Sequence, residues 1–179
     1  LIAVLVLFYI YTMQNKARIQ EQNRVYAEDS ARQTVKRIES EFDNALQRIQ
    51  NSAYLVGRGG GVSKVDSGML KEIEANTRFD AIQFTNAEGV NFSSGGESSD
   101  SSDRDFFIRG MRGESGLQAV EESRLTGKPM MVFFTPVYGE SEPEGVFLGL
   151  YYAEKYLQDM LAASYFGEPA DVYLCTIDG

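Results

Sequence analysis

From Gln14 to Val56 the chain contains neither proline nor glycine, and that run limits the possible folds more than any motif does. Both residues interrupt helices, Pro through its missing N–H and Gly through its backbone freedom, so their absence over so long a stretch permits one unbroken helix. The apolar spacing agrees. Val35, Phe42, Ile49 and Val56 recur every seven residues, Ile38, Ala45 and Ser52 stand three residues after the first three of them, and Leu46 and Ala53 widen the stripe. A stalk helix over 14–57 would reach about 60 Å. Its stripe is expected to pack on its own domain and, since one small domain seldom covers so long a helix, on a parallel partner from a second copy as well.

Ahead of the stalk, Leu1–Tyr11 is almost wholly apolar, though shorter than the roughly 20 residues of a bilayer span. Residues 1–13 read as a partial, truncated transmembrane helix with Tyr9 and Tyr11 at the membrane interface. The alternative, the apolar core of a cleaved signal peptide, lacks a small-x-small cleavage site. On either reading the residues after about 14 are extracytoplasmic.

Composition then excludes whole classes of function. The chain has 179 residues, 43% of them hydrophobic, and a net charge of −9. That is enough to bury one real core, and the charge is unsuited to nucleic acid, which needs clustered Lys and Arg. There is no histidine, and Cys175 is the only cysteine. The usual general base, the usual zinc ligand, an internal disulfide and a thiolate cluster are all removed. A hydrolase would have to use paired carboxylates or a Ser–Lys pair, and no such constellation is recognisable. No catalytic residue, metal or cofactor is assigned.

Gly57-Arg58-Gly59-Gly60-Gly61 stops the long helix and reverses the chain. It lacks the Gly-Lys-Ser/Thr ending of a phosphate loop, and no strand precedes it. Asp66 or Ser67 caps a shorter helix through Met69, Leu70, Ile73 and Ala75. Phe79–Thr85 reads as a strand, Asn86–Gly89 as a tight turn and Val90–Ser93 as its return. Ser94–Ser102 is a surface loop by composition. Asp100 within it and Asp103 and Asp105 just after it lack EF-hand spacing, and Asn91-Phe92-Ser93 is formally a glycosylation sequon.

Asp103 is the expected N-cap of a short aromatic helix from Arg104 to Gly110. Three β-rich runs follow, Gly116–Arg124, Pro129–Tyr138 and Val146–Tyr152, joined by polar turns into an antiparallel meander. The expected fold is α+β: an antiparallel five-stranded sheet with flanking helices, preceded by the stalk and the partial membrane helix. On the strand 129–138, Met131, Phe133 and Thr135 face one way and Met130, Val132, Phe134 and Tyr138 the other. The set with Phe133 and Thr135 is expected to line a cavity under the helices, because Thr135 places a polar group beside apolar ones.

Taken in order, several features resemble the Cache, or PDC, extracytoplasmic sensor domains. They are the apolar N-terminus, the long helix, the strand–turn–strand with Asn86-x-x-Gly89, Asp103-Arg104-Asp105-Phe106-Phe107, Thr126-Gly127-Lys128-Pro129, Thr135-Pro136-Val137-Tyr138 and Gly145-Val146-Phe147-Leu148-Gly149-Leu150. These are PAS-like modules of bacterial chemoreceptors, sensor kinases and membrane-bound diguanylate cyclases, and the resemblance covers residues 15–179. It implies a distal sensor domain over 58–163. Ala170–Gly179 resembles the first strand and turn of a second, membrane-proximal module, so 164–179 is expected to be the truncated start of a double-Cache arrangement.

The implied function is an extracytoplasmic small-molecule sensor of a membrane-bound signalling protein such as a diguanylate cyclase or sensor histidine kinase, with no enzymatic activity in this segment. A chemoreceptor sensor domain, or a ligand-free structural stalk or dimerisation domain, is the alternative. The implied partners are a small molecule such as a carboxylate, the lipid bilayer through the N-terminal helix, and a second copy through the stalk. In related double-Cache sensors that bind amino acids, the helix carries Arg-x-aromatic-aromatic, with a Tyr five residues ahead and an Asp ending the fifth strand. Arg104, Phe106 and Phe107 match the first part, while Ser99 and Tyr151 stand at the other two positions. The Asp that would hold an α-ammonium group is therefore missing. With the strand residues above, the expected ligand-binding set is Arg104, Phe106, Phe107, Phe133, Thr135 and Tyr151, Arg104 gripping a carboxylate in two-pronged fashion.

Overall fold

The structure is a computed structural model that describes residues 2–59, 61–139 and 141–162. The strand and turn expected at 170–179, and Cys175 with them, lie outside the described residues. Helix α1, Ile2–Arg58, runs through the whole Pro/Gly-free stretch. Among the described residues no helix is long and apolar enough to cross a membrane.

The chain divides into two compact units, and Ser40–Leu161 is the unit that carries the sheet. Before Ser40, α1 exposes Ile19, Tyr26 and Val35. There Arg24 pairs with Glu21 at 2.7 Å and Glu28 at 2.6 Å, surface pairs that add little stability.

In the sheet-bearing unit, helix α2 (Ser67–Asn76) is capped by Asp66, whose carboxylate accepts from the Met69 N–H at 2.8 Å. The strands are β1 (Ala81–Asn86), β2 (Val90–Ser93), β3 (Ser98–Asp100), β4 (Gly116–Glu122), β5 (Pro129–Tyr138) and β6 (Pro143–Tyr152). They form one sheet of six in the order β3-β2-β1-β6-β5-β4, with every pairing antiparallel. The sixth strand corrects the expectation of five. It is β3, inside the stretch read as a loop, and it pairs Val90 with Asp100 and Phe92 with Ser98. A three-residue polar strand on a sheet edge buries almost nothing, so no hydrophobic alternation announces it.

Helix α3 (Asp105–Gly110) also differs at its start. Arg104 occupies the cap position with no side-chain cap bond, and Asp103 is engaged elsewhere. Its two carboxylate oxygens accept from Arg124 at 2.8 and 2.7 Å, a fork-to-fork geometry stronger than a single capping bond. Helix α4 (Ala153–Ala162) follows β6 directly.

Both faces of the sheet are covered. Ala45, Ile49, Ala53 and Val56 of α1, with Leu70 of α2, pack on Phe79, Ile82, Phe84, Phe133, Val137, Phe147 and Tyr151. From Ala45 to Val56 the stripe of α1 thus closes on its own domain. On the opposite face Phe106 of α3 packs among Met130, Val132, Phe134, Val146, Leu148 and Leu150. Strands β5 and β6 are consequently buried almost end to end.

Two glycines are required by geometry. Gly89 closes the β1–β2 turn at φ +83, where a side chain is disfavoured. Gly110 lets α3 lie directly on β6, for a Cβ there would stand 2.5 Å from Cγ2 of Val146.

Candidate ligand-binding site

The α3 face of the sheet holds a small cavity. Its floor is hydrocarbon from β5 and β6, Met130, Val132, Leu148 and Leu150, continued by Gln83 of β1 and Asn91 of β2. Gln83, 7% exposed, and Asn91, 4% exposed, are polar side chains in core positions. They satisfy one another: Asn91 Nδ2 donates to Gln83 Oε1 at 2.7 Å, and Asn91 Oδ1 accepts from Thr85 at 3.3 Å. Asn91 is thereby turned inward, away from any surface role for its sequon. Arg104 and Phe106 form one wall, Ser99 and Ser101 another, and the β4–β5 hairpin at Glu121–Leu125 covers the rim. The free volume is about 30 Å³, room for on the order of two waters.

Arg104 is the electrostatic centre. Its guanidinium forms an ion pair with Glu121, both side chains being 19% exposed. Its Nη2 donates to the Glu122 carbonyl at 3.1 Å. Burial, and then the nearby Arg124 charge, push the Arg104 guanidinium below its usual pKa. Arg124 is fully engaged on the rim, donating to both oxygens of Asp103 and, at 2.6 Å, to the Asp100 carbonyl. Hydrogen bonding from Arg124 holds the Asp103 carboxyl below the usual carboxylate range.

Glu121 reaches the cavity because of a bulge. Gln118 stands opposite Val132, so a regular ladder would set residue 120 opposite Met130; the register shifts, and Glu121 takes that position instead. One inserted residue reverses the facing of everything beyond it. Among the described residues Glu121 Oε2 is buried and has no hydrogen-bond partner.

Of the residues expected from sequence, Arg104 and Phe106 line this cavity, and Phe107 packs against the apolar cluster beside it. Phe133, Thr135 and Tyr151 are not brought to it. Phe133 and Tyr151 belong to the opposite, α1-side core. There Phe133 meets Phe42 and Tyr151 edge-on at 6.0 and 5.9 Å, and Tyr151 stacks on Tyr156 at 4.2 Å. Arg48 donates to the Tyr151 hydroxyl at 3.2 Å. Thr135, paired with the Ser115 hydroxyl at 2.8 Å, borders a separate, larger cleft of about 400 Å³ with Tyr54 and Arg58. The facing of β5 is therefore the reverse of the expected one: Met130 and Val132 look into the cavity.

Glu121, Gln83 and Asn91 were outside the expected set. Gln83 and Asn91 were hidden by alternation: each amide stands between two apolar residues, which a period of two would turn inward in its place, yet Asn91 is buried while Val90 and Phe92 are exposed. Glu121 carried no sequence signal, because its facing depends on the bulge.

No protein-family model and no curated protein matches this sequence. Solved structures match it in fold. The ligand-binding domain of the Pseudomonas fluorescens chemoreceptor CtaA with L-alanine is 17% identical at TM-score 0.67, over 77% of this chain and 63% of that one. The Pseudomonas aeruginosa PAO1 chemoreceptor PctB domain with L-Arg is 13% identical at 0.67, over 79% and 62%. The Campylobacter jejuni chemoreceptor Tlp3 domain with 4-methylisoleucine is 12% identical at 0.66, over 75% and 60%. The chain thus spans less than two thirds of the length of each. The fold is that of these chemoreceptor ligand-binding domains, in keeping with the fold the resemblance implied.

Proposed function

We propose that this segment is the extracytoplasmic small-molecule sensor of a membrane-bound signal-transduction protein, with its ligand in the cavity beneath α3. The observation that carries this reading is the cavity itself. A guanidinium, a carboxylate and two buried amides converge over a hydrocarbon floor, in a fold whose neighbours were solved with amino acids bound. The contact residues are Arg104 and Phe106 on the wall, with Met130, Val132 and Leu150 below; Phe107 supports them from the adjoining cluster. The ligand is a small charged metabolite of amino-acid size.

In the same reading residues 58–163 are the distal module of a double-Cache arrangement, 164–179 begin the proximal one, 1–13 enter the membrane and the stalk over 14–57 pairs with a second copy. The output is a diguanylate cyclase or histidine kinase. A chemoreceptor output is the second reading, favoured by the neighbours being chemoreceptor domains. A ligand that binds one placement of α3 and β4 more tightly shifts the equilibrium toward it, and only that difference drives the signal. The sheet shared with α1 conveys it as a small slide or rotation of the helix.

A thermal-shift screen of the chain against amino acids, amines, carboxylates, purines and sugars tests this reading. Saturable stabilisation by at least one compound, lost in Arg104→Ala, is the expected result. Stabilisation unchanged by Arg104→Ala removes that residue from the site, and no stabilisation by any class leaves a ligand-free spacer.

A further inference from the structure

We propose that the cavity selects an ammonium group, and that Glu121, not Arg104, is the residue that binds it. This deepens the sensor reading above and rests on it. Both arginines at the cavity are already occupied: Arg104 by Glu121 and the Glu122 carbonyl, Arg124 by Asp103 and the Asp100 carbonyl. An incoming carboxylate would have to share Arg104 with Glu121, setting two carboxylates side by side in a largely buried site.

The unmet need in the cavity is the opposite one. Glu121 Oε2 is a buried acceptor with no donor, and a carboxylate can only accept. Gln118, on the same strand and opposite the cavity-lining Val132, likewise buries an unpartnered acceptor oxygen, Oε1. A group bringing N–H donors and positive charge supplies what Glu121 lacks, through charge-assisted bonds.

Arg104 then acts as a positioning residue. Its ion pair holds one oxygen of the Glu121 carboxylate and leaves Oε2 without a donor. The floor of Met130, Val132, Leu148 and Leu150 receives the ligand's hydrocarbon. The free volume of about 30 Å³ fits an ammonium head as it stands, and a longer body displaces the hairpin at the rim. The net charge of −9 favours arrival of a cation over an anion. The geometry therefore assigns this site an organic ammonium ion, with no need for a carboxylate on the ligand.

Three probes that share a propyl chain and bear an ammonium, a carboxylate or both separate the possibilities: propylamine, butyrate and 2-aminobutyrate, each titrated calorimetrically into the chain and into Glu121→Gln. Propylamine and 2-aminobutyrate are expected to bind the parent chain while butyrate does not, with Glu121→Gln weakening both at least tenfold. Binding of butyrate, strengthened in Glu121→Gln, would overturn the proposal and make Glu121 a stand-in for a ligand carboxylate, leaving the sensor cavity itself intact. Binding of 2-aminobutyrate without propylamine would also overturn it, since the carboxylate would then be required. If no probe and no compound of the wider screen binds, the cavity reading falls together with the proposal. The three titrations on the unaltered chain decide the matter even if Glu121→Gln fails to fold.

Discussion

Replacing Gly110 with Ala tests how closely α3 must lie on the sheet. The new methyl would stand 2.5 and 2.8 Å from Cγ2 and Cγ1 of Val146, so helix or strand must move. Overpacking of this kind costs about 1–3 kcal/mol. Ala gains at most roughly 1 kcal/mol over Gly in a helix, and less at the last residue of so short a one, so the single variant should be about 1–2 kcal/mol less stable. Val146→Ala alone removes two methyls from a fully buried side chain, about 1.6 kcal/mol by transfer and more where a void remains. In the double variant the added methyl occupies the vacated space. The two changes should therefore fall short of additivity by about 1–3 kcal/mol. Urea denaturation of all four chains measures this, as shifts in midpoint at unchanged slope. Because Arg104 caps α3, ligand-induced stabilisation should weaken in Gly110→Ala and return in the double variant. Additivity within about 0.5 kcal/mol would refute the close approach of α3 to β6.

Phe133→Leu should cost about 1–3 kcal/mol, the loss of two edge-on ring contacts, yet leave ligand affinity unchanged because Phe133 faces α1; a parallel loss of binding in calorimetry would contradict the observed facing of β5. Burial raises the Tyr156 phenol to about 12, against about 10 when unfolded. The folded chain thus keeps a proton that the unfolded chain releases, so stability falls as pH climbs from about 10 to about 12. Tyr156→Phe should flatten that alkaline limb in pH-dependent unfolding, at little cost near neutrality because the hydroxyl is buried without a partner. Asp103 shows the opposite sign: its lowered pKa adds stability above the unfolded value of about 3.9 that is lost as pH falls through the folded one. NMR titration should find Asp103 shifted up toward the ordinary carboxylate value in Arg124→Gln.

The legible parts of this chain are those where one face is wet and the other dry. The stripe of α1 and the cap at Asp66 could be read directly, because burial on one side leaves a period in the sequence. Strand β5 is covered on both faces, so its sequence reads apolar throughout, and which residues look into the cavity is decided by neighbours far away in the chain. That is why Phe133 and Thr135 were expected to line the cavity, whereas Met130 and Val132 line the one beneath α3. Strand β3 failed for the reverse reason, being polar and too short to show alternation. Glu121 depends on a single extra residue in β4 whose presence only the pairing with β5 reveals.

Leu150 and Tyr151 are neighbours on β6, yet they answer to different halves of the molecule: Leu150 to the cavity and Tyr151 to the aromatic rings beside α1. One peptide unit is the whole thickness of the wall between them. Side-chain size on one side therefore cannot drift freely, since any tilt of the strand that accommodates a bulkier Leu150 neighbour must also be tolerated by the rings behind it.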